Sequence, residues 1–194
     1  MNRIALITGG NRGLGRASAR ALADEGTDVI LTYRSNPGDA DSVVDELSEG
    51  GRIAVALPLD TTDHDSFPAF ADELRGQLAE RWSREQFDIL INNAAYSVYA
   101  AMKGAIEVYT RYAAKALGGR AITVNAIAPG ATATDFAGGR IRDNETYRAM
   151  VTANHASGRV GEPEDIGGAV RAIVSETAGW ITAQRIEASG GQSL

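Results

Sequence analysis

A short apolar run, Ile4-Ala5-Leu6-Ile7, passes directly into Thr8-Gly9-Gly10-Asn11-Arg12-Gly13-Leu14-Gly15, and a helical pattern begins at Leu14. Strand, glycine-rich turn and helix in that order force a tight reversal, and they leave backbone N–H groups at a helix N-terminus, where an anion is stabilised. The alternation then continues along the chain. Gly26 caps a helix running from about Leu14 to Glu25, and Val29 to Thr32 reads as a second strand. A helix over Asp39 to Glu49 stops at Gly50-Gly51, Ile53 to Leu57 is a third strand, and Ser66-Phe67-Pro68 opens a helix reaching Trp82. Further strands are expected at Phe87 to Asn92, Ile122 to Ala126 and Gln184 to Ala188, with helices over Ser97 to Leu117, Asn144 to Asn154 and Glu162 to Ser175. Strands alternating with helices in this way are parallel and joined by right-handed crossovers. No linker, repeat or low-complexity segment intervenes, so the expectation is one α/β domain over residues 1–194, a doubly wound parallel sheet.

The totals narrow the function. No apolar run approaches the ~20 residues of a membrane span, so no membrane is expected as a partner. Met1-Asn2-Arg3-Ile4 enters the first strand with no secretory pattern, and the chain holds no cysteine. Disulfides, thiolate zinc sites and thiol nucleophiles are thereby excluded, and a cytoplasmic setting is expected. A net charge of −6 disfavours nucleic acid, which binds basic faces. It does not exclude a phosphorylated small molecule, which a local pair of arginines can hold. His64 and His155 have no ligand-spaced partners and read as loop or surface residues, so no metal is expected.

The glycine-rich turn has TGxxxGxG spacing. Its strand–turn–helix setting favours a dinucleotide over a plain tight turn, with Gly9, Asn11, Arg12, Gly13, Leu14 and Gly15 around the pyrophosphate. The second strand ends Leu31-Thr32-Tyr33-Arg34-Ser35, without the carboxylate that would bind a ribose 2′-hydroxyl. Arg34 there and Arg12 in the adjacent turn favour NADP(H) over NAD(H), because guanidinium groups fork onto phosphate; two solvated surface arginines are the alternative reading. Asp60 and Thr61, after the third strand, would flank the adenine, Asp60 accepting from its exocyclic amine.

Tyr99 and Lys103 lie four apart on an expected helix and share a face. A phenol with an ordinary pKa of ~10 exchanges protons poorly at neutral pH, and a neighbouring ammonium favours the phenolate. Bringing the value to about 7 takes roughly 4 kcal/mol of differential interaction. The pair therefore reads as a catalytic acid/base and its activator.

Taken together, these motifs resemble the short-chain dehydrogenase/reductase (SDR) family. The resemblance rests on Thr8 to Gly15, Asp60-Thr61, Asn92-Asn93-Ala94, Tyr99 with Lys103, and Asn125 to Gly130, then on Thr132 to Asp135, Arg159 to Ile166 and Ile186 to Gly191. They occur in the family's order over nearly the whole chain, with Ala95 where the family usually has Gly. The resemblance implies an NAD(P)-binding Rossmann-like fold and hydride transfer between nicotinamide and a carbonyl or alcohol. Tyr99 would be the proton donor or acceptor, and Lys103 would hold the nicotinamide ribose. Asn93 and Thr132 would contact the cofactor through their backbones, with Ala94, Pro129, Gly130 and Thr134 beside it. The family also implies a homo-oligomer, dimer or tetramer, using the Tyr99 helix. The substrate pocket falls to residues 133–155, where Gly138-Gly139 form a hinge for a lid.

One departure is large. In the family a helix, a strand and a loop with a catalytic Ser separate the Asn-Asn-Ala strand from the Tyr, whereas here Asn92 and Tyr99 are nearly adjacent. A helix-plus-strand unit cannot fit that gap. Ser97 stands two residues before Tyr99 and reads as a helix cap rather than a substitute. The expected sheet is therefore one strand short of the family's seven, ordered 3-2-1-4-6-7 in the family's labels, with apolar surface exposed on the Tyr99 helix. Two rivals to the enzyme reading follow: a non-catalytic NADP(H)-binding module, and an engineered or incomplete version of a longer enzyme.

Overall fold

The computed structural model describes residues 2–93 and 99–193, and for residues 99–102 the backbone alone. The chain forms two compact units, Met1–Ala94 and Ala95–Leu194.

In the first unit, β1 (Ile4–Ile7), β2 (Asp28–Tyr33), β3 (Ala54–Pro58) and β4 (Ile89–Ile91) make a parallel sheet in the order β3-β2-β1-β4. Ala5 of β1 lies level with Val29 on one side and Ile89 on the other. Side chains alternate along a strand, so the sheet offers two faces. Ile4, Leu6, Ile30, Val55 and Leu57 pack with Leu74 and Leu78 of α3 (Phe67–Trp82), and Phe70, Trp82 and Phe87 border that cluster. The alternate residues Ala5, Ile7, Val29 and Leu31 point the other way. There α1 (Gly13–Asp24) buries Ala17, Ala19 and Leu22, and α2 (Pro37–Glu49) buries Ala40, Val43 and Leu47. Cover on both faces explains why β1 is apolar throughout rather than alternating. A carboxylate fixes where β1 begins: Asp88 Oδ2 accepts from the Ile4 N–H at 2.8 Å, while Arg84 holds the same group in a two-pronged pair.

The second unit holds α4 (Tyr99–Leu117), β5 (Ala126–Pro129), α5 (Arg140–Asp143), α6 (Glu145–Thr152), α7 (Pro163–Ile173) and β6 (Arg185–Ala188). β5 and β6 pair in parallel, Ala126 level with Arg185. A capping box starts α7, in which Asp165 accepts from the Glu162 N–H. Among the described residues, no helix is long and apolar enough to cross a membrane.

The α/β class, the parallel strands and both partial orders agree with the sequence reading. Among the described residues the strands pair within their own units, four in the first and two in the second. One boundary differs, since the fifth strand begins later than Ile122. Ala121 is left-handed (φ 58°), and the Val124 N–H donates to Thr182 Oγ1 while its carbonyl accepts from the Ala183 N–H. Asn125 donates to the Ile181 carbonyl and accepts from the Gln184 N–H, an amide side chain replacing a ladder rung, so regular pairing starts only at Ala126.

Candidate active site

The glycine-rich turn is built from three directions. The Thr8 N–H donates to the Ile91 carbonyl at 2.9 Å, the Gly10 N–H to the Thr32 carbonyl at 3.0 Å, and the Gly9 N–H to Thr32 Oγ1 at 3.3 Å. The ends of β2 and β4 thus clamp the loop leaving β1. Gly9 (φ 63°) and Gly13 (φ 54°) occupy left-handed conformations that a side chain would strain. Gly15 is required for closeness instead. A Cβ there would fall 2.3 Å from the Gly9 carbonyl oxygen and 2.7 Å from Asn93 Nδ2. Arg12 is the N-cap of α1, exposed and without a side-chain cap bond, and the first turn holds no acidic residue. The N–H groups there, with the positive end of the helix dipole, face outward without a built-in anion. Asn11 is buried beneath the turn and Leu14 half-buried.

Asn93 completes the cradle. Its backbone N–H donates to Thr8 Oγ1 at 2.9 Å, and its side-chain amide donates to the carbonyls of Thr8 and Gly9, both at 3.0 Å. Both its backbone N–H and its side chain thus hold the turn. Ala94 lies outside the described residues.

At the neighbouring strand ends, Arg34 follows β2 and is exposed. The Leu59 N–H bonds the Tyr33 carbonyl at 2.8 Å, which brings Asp60 beside that end of β2. Asp60 Oδ1 accepts from the Thr62 hydroxyl at 2.7 Å and the Thr62 N–H at 2.9 Å. Those two bonds, the hydroxyl first, hold the carboxyl below its ordinary value, and the Arg34 charge adds to them. Thr61 is half-buried beside it.

In the second unit, Tyr99 opens α4 and Lys103 stands one turn later, exposed. The Tyr99 side chain lies outside the described residues, as do Tyr96 and Ser97. Thr110, Ala113 and Ala114 form the buried face of α4, while Val108, Tyr109 and Tyr112 are 54%, 65% and 71% exposed. The apolar exposure expected on this helix is present. Arg185 of β6 reaches α4 with Nε 2.6 Å from a Glu107 carboxylate oxygen.

After β5, which ends at Pro129, Gly130 passes so close to Ser189 that a Cβ would lie 2.7 Å from the Ser189 Cα. Thr132 is buried, its hydroxyl donating to the Gly130 carbonyl at 2.9 Å, and it bridges to Gly161. The Thr134 N–H donates to the Thr132 carbonyl at 2.9 Å, and Thr134 Oγ1 accepts from the Phe136 N–H. Three left-handed residues follow, Ala137, Gly138 and Gly139. Arg142 closes that loop by pairing with Asp135 before it and Asp143 after it. His64 is exposed, and His155 lies in the loop between α6 and α7. It follows α6 but is only 7% exposed, with Nδ1 2.8 Å from the Val151 carbonyl. Its Nε2 is buried and has no hydrogen-bond partner among the described residues.

Sequence reasoning missed Arg142, Arg185 and Glu107. Charges paired across elements leave no local signature, although Arg142 next to Asp143 was a visible hint.

Comparison with known proteins matches both units. The family described as short chain dehydrogenase matches residues 3–97, and that described as Enoyl-(Acyl carrier protein) reductase matches residues 94–193. The two matches meet at the junction between the Asn-Asn-Ala strand and Tyr99. Versicolorin reductase stcU of Emericella nidulans is 28% identical over 250 residues, covering 97% of this chain and 95% of the relative. The 3-oxoacyl-[acyl-carrier-protein] reductase FabG of Vibrio harveyi is 28% identical over 245 residues, covering 99% and 98%. Both aligned spans exceed the 194 residues of this chain, so the relatives carry internal residues that it lacks. Among solved structures, the reductase LugOII, which catalyses keto-reduction at C1 during lugdunomycin biosynthesis, superposes with a TM-score of 0.91 at 28% identity, covering 97% of this chain and 96% of its own. The angucycline C-6 ketoreductase LanV with bound NADP gives 0.87 at 26% identity, covering 98% and 95%. By its two family matches, its ordered motifs and its strand–turn–helix cradle, the chain is an oxidoreductase of the short-chain dehydrogenase/reductase family.

Proposed function

We propose that this chain is an NADP(H)-dependent reductase or dehydrogenase acting on a small carbonyl or alcohol, with both units serving one NADP(H)-binding catalytic domain. The observation that carries the reading is the cradle at Thr8–Gly15. It is locked by Thr32, Ile91 and Asn93 and passable only to glycine at position 15, with Arg12 at its lip and Arg34 where a carboxylate would select NAD(H). NADP bound to LanV supports the same cofactor. The bound nicotinamide supplies the hydride. The open N-terminus of α1 holds the pyrophosphate, Arg34 and Arg12 hold the 2′-phosphate, and Asp60 and Thr61 border the adenine. Pro129, Gly130, Thr132 and Thr134 line the nicotinamide side, Tyr99 moves the proton at the substrate oxygen, and Lys103 favours its phenolate. The exposed stripe of α4 is covered by a second copy, making the working form a homo-oligomer.

The missing Ser segment favours a second reading, an NADP(H)-binding module without turnover, because losing an oxyanion donor typically costs ~10²–10³ in rate. NADPH oxidation with a reactive ketone separates the two. The first reading expects turnover that falls at least about 100-fold in Tyr99→Phe, the scale of general acid catalysis. Tight NADPH binding without turnover selects the second reading, and failure to bind NADPH defeats both.

A further inference from the structure

Resting on the assignment of proton transfer to Tyr99 and Lys103, we propose that Arg185 is a positioning residue that holds the Tyr99–Lys103 end of α4 against β6 through Glu107. Positions 99, 103 and 107 follow one another at four-residue intervals and lie along one helix face. Whatever fixes Glu107 therefore acts on the rotation of α4 about its axis along that run of positions.

Among the described residues of α4, the buried ones are Thr110, Ala113 and Ala114, which are small, and the Thr110 hydroxyl bonds within the helix, to the Ile106 carbonyl at 2.8 Å. The bulky residues Val108, Tyr109 and Tyr112 point outward. Arg185 supplies a directional link between elements. Its Nε approaches Glu107 at 2.6 Å, while Nη1 pairs with Glu187, two residues along the same strand. Glu107 and Glu187 raise the Arg185 pKa above its ordinary value, Glu187 contributing most. Glu187, on the same face of β6, engages Nη1, and Nε is the nitrogen that reaches Glu107 on the helix.

The test is a charge-reversal cycle on the full chain, with Arg185→Glu, Glu107→Arg, the double reversal, and Glu187→Gln as control. Each single reversal is expected to lower kcat about ten-fold, the scale of a modest misplacement of reacting groups, with KM for NADPH within about two-fold. The double reversal restores most of the loss, and Glu187→Gln stays near the parent. Unchanged kcat in Arg185→Glu, or a double reversal no better than the single ones, overturns the proposal. Amide hydrogen exchange over residues 99–110 of the cofactor-free protein reads the tether without turnover. It should quicken in Arg185→Glu and return in the double reversal, and equal exchange in all variants overturns the tether. A parent that binds NADPH but never turns over defeats the assignment to Tyr99, and exchange then decides the tether by itself.

Discussion

The carboxylate of Asp28, the first residue of β2, accepts a hydrogen bond from the indole N–H of Trp82, the last residue of α3, at 2.9 Å. Its other oxygen accepts from the Ile53 N–H at 3.0 Å, just before β3. One buried carboxylate, 2% exposed, thus joins two strand entries and a helix end. Asp28→Asn keeps the shape but turns an amide NH₂ toward one of two donors. Leaving buried donors unmatched costs ~1–3 kcal/mol. We expect the urea midpoint of the first unit to fall accordingly. Trp180 is 98% exposed, so a change in tryptophan emission on unfolding reports mainly Trp82. A midpoint equal to that of the parent would show that Asp28 is dispensable.

Glycines 13 and 15 separate backbone conformation from closeness. Gly13 is left-handed but has open space around its missing Cβ, whereas Gly15 meets Gly9 and Asn93 below contact distance. Gly13→Ala should cost ~1–2 kcal/mol of conformational strain and keep NADPH binding. Gly15→Ala pushes the turn apart and should abolish binding by isothermal titration. Equal effects from the two substitutions would refute this division.

Arg34 sets the expected cofactor preference. Replacing it by Glu removes a charge-assisted contact and places a carboxylate where a ribose hydroxyl would be bound. The ratio of NADPH to NADH affinity should fall by at least about 10-fold, since a hydrogen bond to a charged group is worth ~1.5–3 kcal/mol. A ratio unmoved by Arg34→Glu would place the 2′-phosphate elsewhere.

The first half of the chain was legible because its signals are local. Gly26, Gly50-Gly51 and Pro68 mark boundaries that the helices respect within a few residues, and the cradle glycines announce themselves by spacing. What stayed hidden is relational. That Asn93 holds Thr8 and Gly9 through its side chain, or that Asn125 replaces a strand rung, depends on residues over 50 positions away. The burial of His155 was equally hidden, because a lone histidine beside its own helix end carries no periodic signal.

Acid should loosen both units. Arg159 holds Asp165 in a two-pronged pair and brings its carboxyl down to about 2, with help from the Glu162 N–H, while Arg84 lowers Asp88. Both folded values lie below the ordinary ~3.9, so the stabilisation is fully present above about pH 4 and is lost as pH falls through the folded values. Thermal melts should be level from pH 7 to about 5 and drop steeply from about 4 to 2, less so in Arg159→Gln, whose Asp165 loses its main partner. An equal drop in Arg159→Gln would assign the acid sensitivity to other carboxylates.

The outward stripe of α4 bears on assembly. Tyr109 and Tyr112 are three apart, 65% and 71% exposed, and Val108 lies beside them. Three large apolar side chains on one face gain by leaving water, at ~1.5–3 kcal/mol for each one fully buried. A homo-oligomer burying this stripe should therefore come apart when charges are placed in it. Tyr109→Glu with Tyr112→Glu is expected to shift the mass by light scattering from that of an oligomer to about 20.4 kDa, the mass of one chain, at unchanged helical circular dichroism. Because these positions face away from the core, the fold tolerates the change. An oligomer of the same mass in both proteins would locate the contact elsewhere, and a monomer in both would show that the stripe stays uncovered.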